Sequence, residues 1–139
     1  MSQFDTIITE IITGLKTETG IDNVYTALCN LKDKQPYPRL EVLHGNEIIT
    51  YIDDSAQVWD SQCMIVVNLY ASPSTIDDLL NLIRKYIVSV TILYINDSTA
   101  RWTLDKGMTV SRNELPEISP IVWFQVTFLL HSRFLSTDL

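Results

Sequence analysis

Residues 35–52 read QPYPRLEVLHGNEIITYI, and how this stretch folds decides the class of the whole domain. Pro36 and Pro38 hold the backbone extended and remove two amide donors. From Arg39 to Leu43 the residues alternate, with Leu40 and Val42 on one side of a half-buried strand. His44-Gly45-Asn46 reads as a reversal and EIITYI as the returning strand, so 39–52 is expected to form a hairpin. A hairpin set between an amphipathic helix upstream and a strand–helix–strand series downstream points to an α+β domain. The expected architecture is a mostly antiparallel sheet with two amphipathic helices packed on it.

Upstream, Phe4, Ile7, Ile8, Ile11, Ile12 and Leu15 recur at three- and four-residue steps, one face of a helix. Ser2 with Asp5 fits a capping box and Gly20 a stop. The many Ile and Thr residues have poor helix propensity, so this helix needs a packing partner. Residues 23–31, NVYTALCNL, read as a strand or extended segment.

Downstream, DDSAQVWDSQ reads as an exposed polar loop and CMIVVNLYA as the central strand. Ser74 or Thr75 caps a second helix, with Asp77 and Asp78 in the first turn where the helix dipole favours acids. Ile76, Leu79, Leu80, Ile83 and Ile87 form its buried stripe, while Asn81, Arg84 and Lys85 face water. VTILYI, residues 90–95, favours a strand by its β-branched density. From 97 to 120 the sequence is turn-rich, with WTL and MTV as short strand fragments and PEISP as a break. The last element, IVWFQVTFLL, places Val122, Phe124, Val126, Phe128 and Leu130 on one face. No repeat or domain boundary divides residues 1–139, which read as a single domain.

Such a chain buries about 70% of the surface its unfolded form would expose, enough for a core without disulfides or metal. The net charge of −7 argues against wrapping nucleic acid, which needs a basic face. It is compatible with DNA sliding past. Cys29 and Cys63 lack CxxC spacing and read as reduced, buried thiols. The first ten residues, MSQFDTIITE, carry no basic, apolar secretory pattern. No apolar run is long enough for a membrane span.

Chemistry is hard to place. His44 and His131 have no Cys, Asp or Glu at metal-ligand spacing. Asp53-Asp54 and Asp77-Asp78 are sequence neighbours, whereas catalytic carboxylates converge across a cleft. Glycines 14, 20, 45 and 107 stand alone, without a phosphate loop or nucleophile elbow. The chain is therefore expected to be no enzyme and to need no cofactor. The aromatics carry more information. Trp123 projects from the last strand opposite Phe124, either packed within the chain or contacting a neighbouring subunit, where Trp and Tyr are enriched. Tyr51 and Tyr94 carry the same alternative.

In the order of these elements the chain resembles the phage tail terminator family, also called tail completion or neck proteins. The likeness rests on FDTIITEIITGL, IDNVYTAL, Tyr37-Pro38, EVLHGNEIITY, CMIVVNLY, STIDDLLNLIRKYI and IVWFQVTFLL, across residues 3–130. It implies a virion protein, assembled in the host cytoplasm, that forms a homo-hexameric ring on the head-proximal end of the tail tube. The ring would end polymerisation of the tail-tube protein and join head-completion or connector proteins. Sheath protein is a further partner if the tail contracts. DNA would pass through unread, and no membrane is involved. The subunit contacts expected under this resemblance are Tyr51, Trp59, Tyr94, Trp102 and Trp123, with Asp53 and Asp54 facing the lumen or tube. Residues 96–120 would form an added hairpin or arm toward a neighbour. The alternative is another neck component, a head-closure or adaptor protein, or a tail-tube-like protein.

Overall fold

The computed structural model describes residues 3–26, 37–53, 58–90, 93–94, 101–114 and 121–135. It is an α+β fold whose element order is α1 (Gln3–Thr19), β1 (Val24–Tyr25), β2 (Arg39–His44), β3 (Ile48–Asp53), β4 (Val58–Ala71), α2 (Ile76–Ser89), β5 (Leu93–Tyr94), β6 (Arg101–Glu114) and β7 (Val122–Leu135). One seven-stranded sheet runs β1-β2-β4-β7-β6-β5, with β3 also on β4. All pairs are antiparallel except β1 with β2.

The expected 39–52 hairpin does not form. β2 and β3 lie end to end along the same edge of β4, β2 against Ile65–Tyr70 and β3 against Val58–Gln62. The hairpin is instead β3–β4. The His44-Gly45-Asn46 step is a break in one long edge, held on β4 by the Gly45 N–H donating to Met64 O at 2.9 Å. His44 pairs with Ile65 and Ile48 with Gln62, so the edge carries one residue more than β4 across the break. An extra residue reverses the alternation of side chains. Ile48 therefore stands on the face of Gln62, not on that of Leu40 and Val42.

β4 also starts earlier than expected. VWDSQ, read as part of a polar loop, forms its first turn of pairing with β3 and β7. Asp53 accordingly ends a strand opposite Val58 instead of lying in a loop, and Asp54 is outside the described residues. Arg101–Glu114 is one strand along β7, not two fragments in a turn-rich stretch; a register shift between Leu104 and Met108 absorbs the polar DKG. Only Val24–Tyr25 of the 23–31 segment and Leu93–Tyr94 of 90–95 are described as strand. The remainder of the proposed 96–120 arm, Cys29 and Ser2 lie outside the described residues.

The core fills one face of the sheet. Leu40, Val42, Ile65, Val67, Leu69, Val126 and Leu130 meet the helix residues Ile7, Ile11, Leu15, Ile76, Ile83 and Ile87, all at most 1% exposed. Of the expected stripes, Ile7, Ile8, Ile11 and Leu15 of α1 and Ile76, Leu80, Ile83 and Ile87 of α2 are buried, Ile12 and Leu79 are partly buried, and Tyr86 joins them. α1 stops at Gly20, whose φ of 72° and N–H to Lys16 O bond of 2.8 Å close the last turn. This is the left-handed position at which glycine alone escapes a steric penalty. α1 packs on α2, and α2 on β4 and β6. Among the described residues no helix is long and apolar enough to cross a membrane.

Candidate functional site

On the sheet face away from the helices, alternation brings Arg39 and Glu41 of β2, Asn68 and Tyr70 of β4, and Trp123 and Gln125 of β7 side by side. The first four are nearly inaccessible, between 0 and 2% exposed. Buried polar groups are costly unless paired, and here a chain of bonds runs across three strands. Trp123 Nε1 and Gln125 Nε2 donate to Asn68 Oδ1 at 3.0 and 3.2 Å. Asn68 Nδ2 donates to Glu41 Oε1 at 3.2 Å, and Tyr70 Oη donates to the same oxygen at 3.0 Å.

Arg39 balances the Glu41 carboxylate, Nε to Oε2 3.9 Å. Its guanidinium carbon lies 4.5 Å from the Tyr70 ring centre and 4.9 Å from that of Tyr37, and among the described residues its three nitrogens find no hydrogen-bond acceptor. Tyr rings thus stand in for acceptors through cation–π attraction. Trp123 stacks on Tyr70 with centroids 5.7 Å apart and planes 17° apart. Burial, then the Glu41 charge, pushes the Tyr70 phenol far above its ordinary range. The bonds of this cluster tie β2, β4 and β7 together.

Further along the same face, His131 Nε2 meets Asp60 Oδ1 across β7 and β4. Their separation in sequence, 71 residues, hid this pair from any spacing argument. His131 lines a shallow depression with Gln62, Thr103 and Leu129. Cys63 is a buried free thiol, as expected, donating to Gly45 O at 3.3 Å. Burial and the Glu47 charge push its pKa up to about 11, so it is inert as a nucleophile. Among the described residues no three His, Cys, Asp or Glu side chains gather to hold a metal.

The expected contact residues fall into separate places. Register sets Tyr51 opposite Trp59, and Trp59 opposite Phe134. At the other side of the sheet Trp102 pairs with Leu93 and Tyr94 with Arg101. Trp123 is committed to Tyr70 and Asn68 within its own chain. Sequence reasoning missed the exposed apolar residues Ile48, Ile49 and Met64, at 66%, 48% and 53%. The first two had been read as the return strand of a hairpin.

No family model and no curated protein matches this chain. A solved chain of the "Virion of native gene transfer agent (GTA) particle" is similar with a TM-score of 0.52 at 12% identity. The match covers 91% of this chain and 92% of that one. At that identity the likeness is one of fold.

Proposed function

We propose that this chain is a virion structural protein that caps the head-proximal end of a phage tail tube as a homo-hexameric ring. The observation that carries the reading is the fold-level match along nearly the full length of a chain from a phage-like virion particle. The order of elements shared with the tail terminator family supports the finer assignment. Function here is mechanical. One ring face matches the last tube ring, the other does not repeat that surface, and growth ends. A heterologous interface whose rotation closes gives such a ring. The other face meets head-completion or connector proteins, and sheath protein in a contractile tail. DNA passes through a lumen whose acidic protein discourages sticking. Tyr51, Trp59, Tyr94, Trp102 and what remains exposed of Trp123 are the proposed subunit contacts, and Asp53 and Asp54 the lumen or tube contacts.

The test is the mass of the purified protein across a dilution series, with imaging of the particles. Six copies of the 15.9 kDa chain make a ring of about 95 kDa. Addition to polymerising tail-tube protein should shorten and fix tube length. Tubes that grow to unchanged lengths would sink the terminator reading in favour of a head-closure or adaptor role.

A further inference from the structure

We infer that Met64 is a site of reversible oxidation by small peroxides. The fold sets its thioether out in solvent on β4 and shuts the thiol beside it, Cys63, into the core.

Cys63 and Met64 are neighbours in β4, and neighbours along a strand point to opposite faces of a sheet. Cys63 stands on the helix side, 1% exposed and part of the core cluster. Met64 stands on the other side and is 53% exposed. Its cross-strand partner Leu129 is only half-buried, as are Leu43 and Val66 one row further along the same face. The sheet is therefore open to solvent around the Met64 sulfur. Met108 of β6 is half-buried and packs against the core.

Reactivity of sulfur toward peroxides follows thiolate character and exposure. Cys63 has neither. It is enclosed, its Sγ donates to Gly45 O at 3.3 Å, and burial with the Glu47 charge raises its pKa to about 11. A thioether has no proton to lose, so exposure alone decides at methionine. Among the described sulfurs the usual order of reaction is thus reversed, and Met64 comes first.

In the step itself a lone pair on Met64 Sδ attacks one oxygen of hydrogen peroxide and the O–O bond breaks. The proton of the transferred oxygen passes to the departing hydroxide, which leaves as water. Sulfur is oxidised by two electrons and the peroxide is reduced. The sulfoxide is polar where the thioether was apolar. On a face shared with Leu43, Val66 and Leu129 this changes the character of the surface and leaves the core, on the other side of the sheet, untouched.

Treating the native chain with dilute hydrogen peroxide and mapping its peptides by mass spectrometry tests the assignment. Met64 should gain one oxygen while Met108 and Cys63 still hold none, at a rate that does not rise with pH through the ordinary thiol range. In denaturant Cys63 and Met108 should react alongside Met64 or ahead of it. The thermal unfolding midpoint of the Met64-oxidised chain should match that of the untreated one. A methionine sulfoxide reductase with a dithiol should restore the thioether, the oxygen leaving as water and the dithiol becoming its disulfide. Met64→Leu, which nearly keeps the volume, should take up no oxygen at the described sulfurs under the same treatment. Oxygen on Met108 or Cys63 of the native chain as early as on Met64 overturns the assignment, and so does an order of reaction that denaturant leaves unchanged. A fall in the unfolding midpoint once Met64 alone is converted overturns it as well.

Discussion

At the scale of single residues, Asn68 bonds to the strands on both sides of its own. It accepts from Trp123 and Gln125 and donates to Glu41, linking β7 to β2 through β4. Removing one partner of a buried bond leaves the other to bear its desolvation, about 1–3 kcal/mol per group. Asn68→Ala orphans an indole N–H, an amide and part of a carboxylate's hydrogen bonding. We expect a loss of about 2–4 kcal/mol, read as a lower denaturant midpoint with an unchanged slope. A variant within about 0.5 kcal/mol of wild type would show that the bonds are dispensable. Asn68 was visible in the sequence as the one amide inside CMIVVNLYA, and a buried amide announces partners. Which partners it has was not visible, because they lie 27, 55 and 57 residues away and are set by register alone. The burial of Arg39 and Glu41, which alternate with Leu40 and Val42 along β2, was hidden for the same reason.

At the scale of elements, both helices and the face of β7 were legible, because periodicities of 3.6 and 2 are written locally. Strand partners were not. A Gly-containing step between two strand-like runs fits a two-strand reversal, and it fits equally a bulge in one edge. β4, wide enough to serve both β2 and β3, decides between them. VWDSQ looked like a loop because its polar residues pair with β3 and β7 at the end of the sheet, beyond the apolar core.

The helix–helix contact was equally silent in sequence. A Cβ built on Gly14 would stand 2.5 Å from Tyr86 Oη and 2.6 Å from Cζ, so α2 presses its tyrosine onto bare backbone of α1. Gly→Ala in a helix ordinarily gains about 1 kcal/mol, but overpacking here costs about 1–3 kcal/mol. Gly14→Ala should therefore destabilise the protein on balance, and in a Tyr86→Leu background the same substitution should stabilise it. Thermal unfolding of the four chains measures this reversal of sign.

At the scale of the whole molecule, composition and charge foresaw a core-bearing acidic domain, and the element order foresaw its class. The buried acids that limit its alkaline stability were not foreseeable, because their environments are made by the packing of all layers. Cys63 lies in the sheet core, Tyr70 on the opposite face and Tyr86 between the helices. Burial, aided by Glu47, Glu41 and Glu10 respectively, raises all three pKa values. For Cys63 the change is from 9.0 to about 11, and for Tyr86 from 10.0 to about 12. As pH rises past 9 the unfolded chain gives up these protons while the folded chain keeps them. The unfolded state then binds fewer protons, and stability falls with pH. The contribution of these groups is flat below pH 9, and is lost first through the Cys63 range and then through that of the tyrosines. Unfolding free energy measured from pH 7 to 12 should follow this course. Cys63→Ala should remove the earliest part of the decline and Tyr86→Phe a later part. An unchanged slope in both variants would place the loss in general charge repulsion, which the net charge of −7 makes the competing cause.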